Sequence, residues 1–185
     1  MIEEKMIAYR DADATLAGLL VANSQAFDNI GNRRPGILVI HGGAGLDDHA
    51  KGRARSLAAL GFVVFACDMY GDGVAGDRQR VLARLTDLTG DPTKLRRRAQ
   101  AAVDVLASDC RVDGRLAAVG YCFGGMTVLE LARGGAELAG VVSIHRSLKR
   151  PSRHASRRSR RRSWFATARW TRTSRRRMSL RSWRR

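Results

Sequence analysis

A cysteine stands at the centre of the glycine-rich segment GYCFGG, residues 120–125, between the apolar run LAAV and the helical stretch MTVLELA. This G-x-C-x-G pattern resembles the G-x-S-x-G turn that carries a nucleophile between a strand and a helix. Small flanking residues allow strand and helix to approach closely, and the turn places the central side chain at the helix N-terminus. The partial positive charge there favours a thiolate, and a backbone N–H can bind an oxyanion. The pattern therefore predicts Cys122 as a nucleophile.

The alternative is a structural cysteine buried in a glycine-rich turn, since free cysteine is often buried. The surroundings of the motif favour the catalytic interpretation. A strand precedes GYCFGG, a helix follows it, and the segment GILVIHGG, residues 36–43, lies upstream.

The elements that would position this turn follow from the hydrophobic pattern. EKMIAY and TLAGLLVA predict an opening hairpin or edge strands, and three continuous apolar runs predict strands buried on both sides. These runs are GILVIH, FVVFACD and LAGVVSIH, at residues 36–41, 62–68 and 138–145. Helical spacing predicts helices in HAKGRARSLAALG, ending at Gly61, and over about 78–88 and 92–107. Alternating strands and helices predict an α/β fold with a mostly parallel sheet and helices on both faces.

Four segments together resemble the dienelactone hydrolase family: VIHGGAGL, ARSLAALGFVVFACDMYGDG, RLAAVGYCFGG and LAGVVSIH. They occur in the family's order and spacing, and the resemblance covers most of residues 5–149. It implies the α/β-hydrolase fold and hydrolysis of a small ester or lactone. By the same resemblance Cys122 is the nucleophile of a Cys-His-Asp triad. The backbone N–H groups of Phe123 and Gly43 would form the oxyanion hole.

One position departs from the family, and several other residues have simpler interpretations. Family members commonly carry a glutamate where this chain has Gly42, so activation of the nucleophile is expected to differ. His41 and His49 could be taken for triad members, but a structural role is favoured for His41 because it ends the first core strand. His145 could border the site or be structural, and Cys67 is expected in the core.

The charge of +17 is concentrated in one part of the chain. Residues 146–185 contain 17 of the 34 Lys and Arg and no Asp or Glu, so residues 1–145 are neutral. The three cysteines are too few and too irregularly spaced for a disulfide framework or a zinc site, and no metal or cofactor is expected. No apolar signal core or membrane span is apparent, which predicts a cytoplasmic protein without membrane association.

The triad order along the chain in this fold is nucleophile, acid, histidine. By the family resemblance, the acid follows the strand that comes next after LAGVVSIH. Because no acidic residue follows residue 145, we expect the triad Asp and His to be absent from this chain. The sequence thus predicts an α/β-hydrolase core at residues 1–149, incomplete at its C-terminal end. Residues 150–185 would be an arginine-rich, non-native and disordered tail, and the chain as written would lack turnover.

The genetic code suggests an origin for this tail. If the DNA is translated one base out of frame, each original codon joins the last base of one codon to the first two of the next. Trp is encoded only by TGG, so the Trp164–Phe165 junction must give GTT, valine, and the Trp170–Thr171 junction GAC, aspartate. This spacing resembles the family's LV-CHGA-LD segment, which contains the catalytic acid. We interpret the tail as a frame-shifted C-terminus with the slip near Lys149–Arg150.

The competing hypothesis is a nucleic-acid-binding protein that acts through the tail. Arginine-rich segments neutralise phosphates without sequence preference, and Trp164, Phe165 and Trp170 could stack on bases.

Overall fold

The computed structural model describes residues 1–12, 14–24, 32–71 and 73–144, together with the backbone of 164–168. The chain begins with two ten-residue strands, β1 (Ile2–Asp11) and β2 (Ala14–Asn23), which pair antiparallel in register from Ile2↔Asn23 to Asp11↔Ala14. The predicted opening hairpin is therefore confirmed.

The remaining strands form the parallel part of a seven-stranded mixed sheet with the order β1-β2-β4-β3-β5-β6-β7. They are β3 (Arg34–Ile40), β4 (Val63–Cys67), β5 (Val112–Tyr121), β6 (Gly140–Ile144) and β7 (Trp164–Ala168). From β3 the chain crosses to β4 on one side and then returns past β3 to β5 on the other. The carboxyl ends of β3 and β5 therefore meet where the direction of winding reverses, which is where open α/β sheets form their crevice.

Four helices connect these strands: α1 (Asp48–Ala59), α2 (Arg78–Gly90), α3 (Pro92–Ala107) and α4 (Phe123–Arg133). Aspartate caps fix three of the starting points. Asp47 accepts a hydrogen bond from the Ala50 N–H at 2.9 Å. Asp77 and Asp91 likewise accept from the N–H groups two and three residues further on. The predicted bounds of α3 agree with the structure, because Asp91 and Pro92 supply a side-chain cap and a preset first turn.

Side chains of the central strands alternate between two apolar layers. Leu38, Ile40 and Phe65 face one layer, to which α3 and α4 contribute. Val39 and Val64 face the other, where α1 contributes its buried alanines. All five residues of β4 are buried, as its continuous apolar sequence predicted. Both faces of the central sheet are thus covered by helices, and the predicted α/β-hydrolase fold class is confirmed.

One part of the arginine-rich segment has more regular structure than its composition predicted. Residues Trp164–Ala168 form β7, which pairs parallel with β6 from Gly140↔Trp164 to Ile144↔Ala168. A five-residue strand thus lies within the segment that was predicted to be disordered. Strand pairing uses backbone groups, and aromatic and β-branched residues favour it, so high charge nearby did not prevent it. Residues 145–163 and 169–185 lie outside the described residues, so the division into a core and a tail stays a prediction.

Candidate active site

Cys122 occupies the turn between β5 and α4, and its side chain is exposed. Its backbone has φ 53° and ψ −107°, a positive φ that non-glycine residues rarely adopt. Such a conformation costs on the order of 1–3 kcal/mol and persists only where the surroundings impose it. Here the Cys122 N–H donates to the Ile144 carbonyl at 2.9 Å, and the Cys122 carbonyl accepts from the Met126 N–H at 3.2 Å. Hydrogen bonds on both sides of Cys122 therefore hold its backbone in this strained conformation.

The glycines of the motif are required by close backbone contacts. A Cβ at Gly120 would lie 2.0 Å from the Gly124 carbonyl oxygen, and a Cβ at Gly124 would lie 2.3 Å from the Ile40 carbonyl oxygen. A Cβ at Gly125 would lie 2.7 Å from Ser143 Oγ. The first two obstacles are backbone atoms and cannot rotate away. The small residues that suggested the motif thus permit β3, β5 and α4 to meet at the turn.

The two residues predicted to supply the oxyanion hole lie at neighbouring strand ends. Phe123 is the first residue of α4, and Gly43 follows β3. A hydrogen bond of 3.1 Å from the Gly124 N–H to the His41 carbonyl ties the two segments together. Within the described part of the chain, neither the Phe123 N–H nor the Gly43 N–H has a hydrogen-bond partner. Both donors are therefore available at the end of the sheet where Cys122 is exposed.

Tyr70, in the MYGDG segment after β4, contacts both Gly43 and Phe123. Its hydroxyl donates to the Gly43 carbonyl at 3.1 Å, and its ring lies 5.5 Å from that of Phe123. Burial raises the pKa of the Tyr70 hydroxyl, and the nearby Cys122 and Asp68 raise it further. Tyr70 is thus a neutral donor that holds the Gly43 peptide. The sequence analysis quoted this segment but did not single out the tyrosine.

His41 has a structural role, as the sequence analysis favoured. It is fully buried; its Nε2 accepts from the Met69 N–H at 3.0 Å, so its Nδ1 carries the proton that it donates to the Gly42 carbonyl at 2.6 Å. Both ring nitrogens are therefore occupied by backbone groups. A histidine committed in this way cannot take a proton from Cys122.

Asp68 organises the loop behind the site. Its carboxylate accepts hydrogen bonds from the N–H groups of Tyr70 and Gly71, at 2.8 and 2.9 Å. Burial alone would raise the pKa of this carboxyl, but the hydrogen bonds from the two backbone N–H groups hold it below its usual value. The Tyr9 hydroxyl donates to the Asp68 carbonyl at 2.5 Å, which fixes the same loop from β1.

Two of the other candidates, His49 and Cys67, do not join this site. His49 is exposed at the start of α1, where its ring lies edge-on to Tyr121 at 5.3 Å. Cys67 is fully buried in β4, and burial raises the pKa of its thiol, which agrees with the predicted core position. His145 lies outside the described residues.

Among the described residues, no group of three or more His, Cys, Asp and Glu side chains is arranged to hold a metal ion. In the same part of the chain, no helix has the length and apolarity needed to cross a membrane.

Comparisons with known proteins agree with the fold and the motif. The sequence model of the dienelactone hydrolase family matches residues 17–161. The solved structure named m3DLH is 36% identical, with a TM-score of 0.80, over 91% of this chain and 68% of its own. P91, a dienelactone hydrolase-like promiscuous phosphotriesterase from metagenomic libraries, is 42% identical, with a TM-score of 0.71, over 76% of this chain and 58% of its own.

A dienelactone hydrolase from Anabaena variabilis is similar in fold alone, with 20% identity and a TM-score of 0.58 over 77% of this chain and 63% of its own. A search of curated proteins gave no match. The family model covers well over half of the sequence. It includes the Gly43 segment and the GYCFGG turn around Cys122, the elbow between β5 and α4. The chain therefore belongs to the dienelactone hydrolase family.

Proposed function

We propose that this chain is a hydrolase-type acyl-transfer protein that reacts with small carboxylic esters or lactones through Cys122. The observation that carries the proposal is the exposed Cys122 thiol at the strained turn, beside the available N–H groups of Phe123 and Gly43. A nucleophile in this position can attack a carbonyl whose oxygen is bound by two backbone donors.

The proposed reaction has two stages. The Cys122 thiolate adds to the carbonyl carbon, and the carbonyl electron pair moves to an oxyanion that the Phe123 and Gly43 N–H groups stabilise. Collapse of this intermediate breaks the bond to the alcohol oxygen, which leaves with a proton from solvent, and a thioester remains on Cys122. Water then cleaves the thioester to the carboxylic acid and restores the thiol.

The second stage is expected to be slow in this chain. Deacylation needs a base that activates water, and in the triad a histidine oriented by an acid does this. Among the described residues no histidine bonds to Cys122, and the sequence after residue 145 has no Asp or Glu. We therefore propose that Cys122 is acylated without appreciable turnover.

The test is a burst experiment with p-nitrophenyl acetate. We expect release of one p-nitrophenolate per chain, a thioester on the Cys122 peptide by mass spectrometry, and little steady-state hydrolysis. Cys122→Ala should abolish the burst. The matched control is Cys110→Ser, because Cys110 is also an exposed, unpaired thiol but lies outside the elbow.

Two outcomes would contradict the proposal in different ways. Steady turnover that Cys122→Ala abolishes would show that the chain supplies its own base. A burst that survives Cys122→Ala and disappears in Cys110→Ser would show that Cys122 is not the nucleophile.

The similarity to P91 supports a second class of electrophile. P91 is described as a promiscuous phosphotriesterase, and it shares 42% identity with this chain. We propose that the Cys122 thiolate also attacks the phosphorus of diethyl p-nitrophenyl phosphate, displacing p-nitrophenolate and leaving a diethylphosphoryl group on sulfur. A Cys122-dependent burst with this ester would support the proposal, and no burst where the acetate gives one would contradict it.

The compartment is also a proposal. Cys67, Cys110 and Cys122 are all unpaired thiols, which supports the cytoplasmic location expected from cysteine usage.

A further inference from the structure

A buried ion pair lies behind the site and is not part of the proposed chemistry. Arg98 on α3 is 3% exposed and Asp11 at the end of β1 is 4% exposed. Arg98 Nε donates to Asp11 Oδ2 at 3.0 Å, and Arg97 Nε donates to Asp11 Oδ1 at 2.6 Å. Burying charged groups costs free energy, and a hydrophobic replacement is often no less stable. The pair therefore suggests a positional role.

The other end of the Arg98 guanidinium contacts the loop after β4, which contains Asp68, Met69 and Tyr70. Its Nη1 donates to the Met69 carbonyl at 3.0 Å, so one rigid, planar group connects β1 to the residue after Asp68. Lysine could not reproduce this, because its single ammonium group lacks the fork that binds two acceptors at fixed spacing. Arg98 thus fixes the position of Met69 through its carbonyl group.

From Met69 the connection continues to the oxyanion donor. The Met69 N–H donates to His41 Nε2 at 3.0 Å, and His41 Nδ1–H donates to the Gly42 carbonyl at 2.6 Å. The Gly42 carbonyl belongs to the peptide group whose N–H is that of Gly43. Whatever orients this carbonyl therefore orients the Gly43 N–H, since the peptide is planar. Met69 and His41 are both fully buried, so water does not compete for these bonds.

We infer that Arg98, held by Asp11, is a positioning residue that aims the Gly43 N–H at the oxyanion through Met69, His41 and the Gly42 carbonyl. This inference rests on the proposed function, because it assigns the Gly43 N–H a role in acyl transfer. Arg98 itself touches neither Cys122 nor substrate in this account. Its effect is on reactions that develop an oxyanion and on no others.

Two reactions of the same thiol separate this role from a general loss of structure. Acylation by p-nitrophenyl acetate passes through an oxyanion, as described above. Alkylation by iodoacetamide does not, because sulfur displaces iodide from a CH₂ carbon while the amide stays intact. Both rates are measured on the full chain carrying Cys110→Ser, and their ratio reports the oxyanion hole independently of thiolate content.

We expect Arg98→Met to lower the acylation rate of Cys122 by roughly 10- to 100-fold, the range for a misplaced catalytic group, with an unchanged alkylation rate. Asp11 keeps Arg97 as a partner in this variant, so its carboxylate is not left uncompensated. The matched control is Arg97→Met. Arg97 pairs with the same carboxylate, but its side chain is 55% exposed, and we expect the ratio to stay within about threefold.

Three results would overturn the inference: an unchanged ratio in Arg98→Met, an equal fall in both rates, or the same fall in Arg97→Met. If circular dichroism shows that Arg98→Met does not fold, Arg98→Lys takes its place, with an expected fall in the ratio of at least about threefold. An unchanged ratio in folded Arg98→Lys would then overturn it.

Failure of the proposed function itself has a separate signature. Cys110 in a Cys122→Ala background gives the ratio of an exposed thiol outside the elbow. If the unaltered Cys122 shows no higher ratio than Cys110, the oxyanion hole is absent and the proposed function is wrong. The inference about Arg98 then falls with it.

Discussion

Adding one methyl group at Gly124 tests the geometry of the nucleophile turn. The Cβ of Gly124→Ala would lie 2.3 Å from the Ile40 carbonyl oxygen and 2.6 Å from that of His41. Both obstacles are backbone atoms of the central strand and its end. α4 must therefore move away from β3, which also weakens the 3.1 Å hydrogen bond from the Gly124 N–H to the His41 carbonyl.

The expected magnitude follows from three terms. Overpacking costs about 1–3 kcal/mol, and a weakened backbone hydrogen bond costs about 0.5–1.5 kcal/mol. Alanine is favoured over glycine inside a helix by about 1 kcal/mol, which opposes them. We expect Gly124→Ala to lower the free energy of unfolding by about 2 kcal/mol, within a range of about 0.5–3.5 kcal/mol. A loss of about 2 kcal/mol corresponds to a fall in Tm of roughly 4–8 °C for a domain of this size.

The matched control is Gly52→Ala in α1. Gly52 is also a helical glycine, but a Cβ there would meet nothing within 4 Å. Helix propensity then acts alone, and we expect a stabilisation of about 0.5–1 kcal/mol. The two variants make the same chemical change, but their expected effects on the free energy of unfolding have opposite signs.

Urea and thermal unfolding of the two variants and the unaltered chain provide the assay, with the p-nitrophenyl acetate burst as a second readout. Gly124→Ala should also slow acylation, because displacement of α4 moves the Phe123 N–H. The reasoning is refuted if Gly124→Ala is as stable as the unaltered chain, within about 0.5 kcal/mol, or more stable.

Three further predictions concern other parts of the chain. Burial opposes ionisation of the Asp11 carboxyl, but the hydrogen bonds and charges of Arg97 and Arg98 hold its pKa below the usual value. The contribution of the Asp11 carboxylate to stability is therefore present above about pH 4, and it is lost as the pH falls through the folded-state pKa. The stability difference between the unaltered chain and Asp11→Asn should therefore shrink in acid, and a difference independent of pH would contradict this. Restoring the reading frame near codon 149 should give an open frame that encodes an aspartate at the Trp170–Thr171 junction and extends past codon 185. A stop codon in that frame among codons 150–185 would exclude the frame-shift hypothesis. If the basic tail binds nucleic acid, binding to single-stranded DNA should be non-specific, weaken steeply with salt and disappear when residues 150–185 are deleted. Salt-independent or tail-independent binding would argue against this hypothesis.

Local chemistry explains why much of the fold was predictable. The start of α3 is encoded by Asp91 and Pro92, whose effects act within four residues. The strand-turn-helix around Cys122 was likewise predictable, because an apolar run, small residues and a helical repeat lie within a few positions of each other. The sequence pattern did not predict the strand β7, because pairing at a sheet edge depends on the neighbouring strand more than on the charge of the segment.

The sequence by itself determined the types of element, the strand-turn-helix that holds Cys122 and the glycines that allow this turn, since each depends on residues close together in the chain. Only the tertiary structure decided what holds the Gly42–Gly43 peptide, whose N–H is the proposed oxyanion donor. His41 bonds to Met69, 28 residues later, and Arg98 bonds to Asp11, 87 residues earlier. No periodicity or motif marks these partners, because they meet only when the sheet order places β1, β3 and α3 around the same loop. Buried polar groups must find partners wherever the fold brings them, and here they meet behind Gly43.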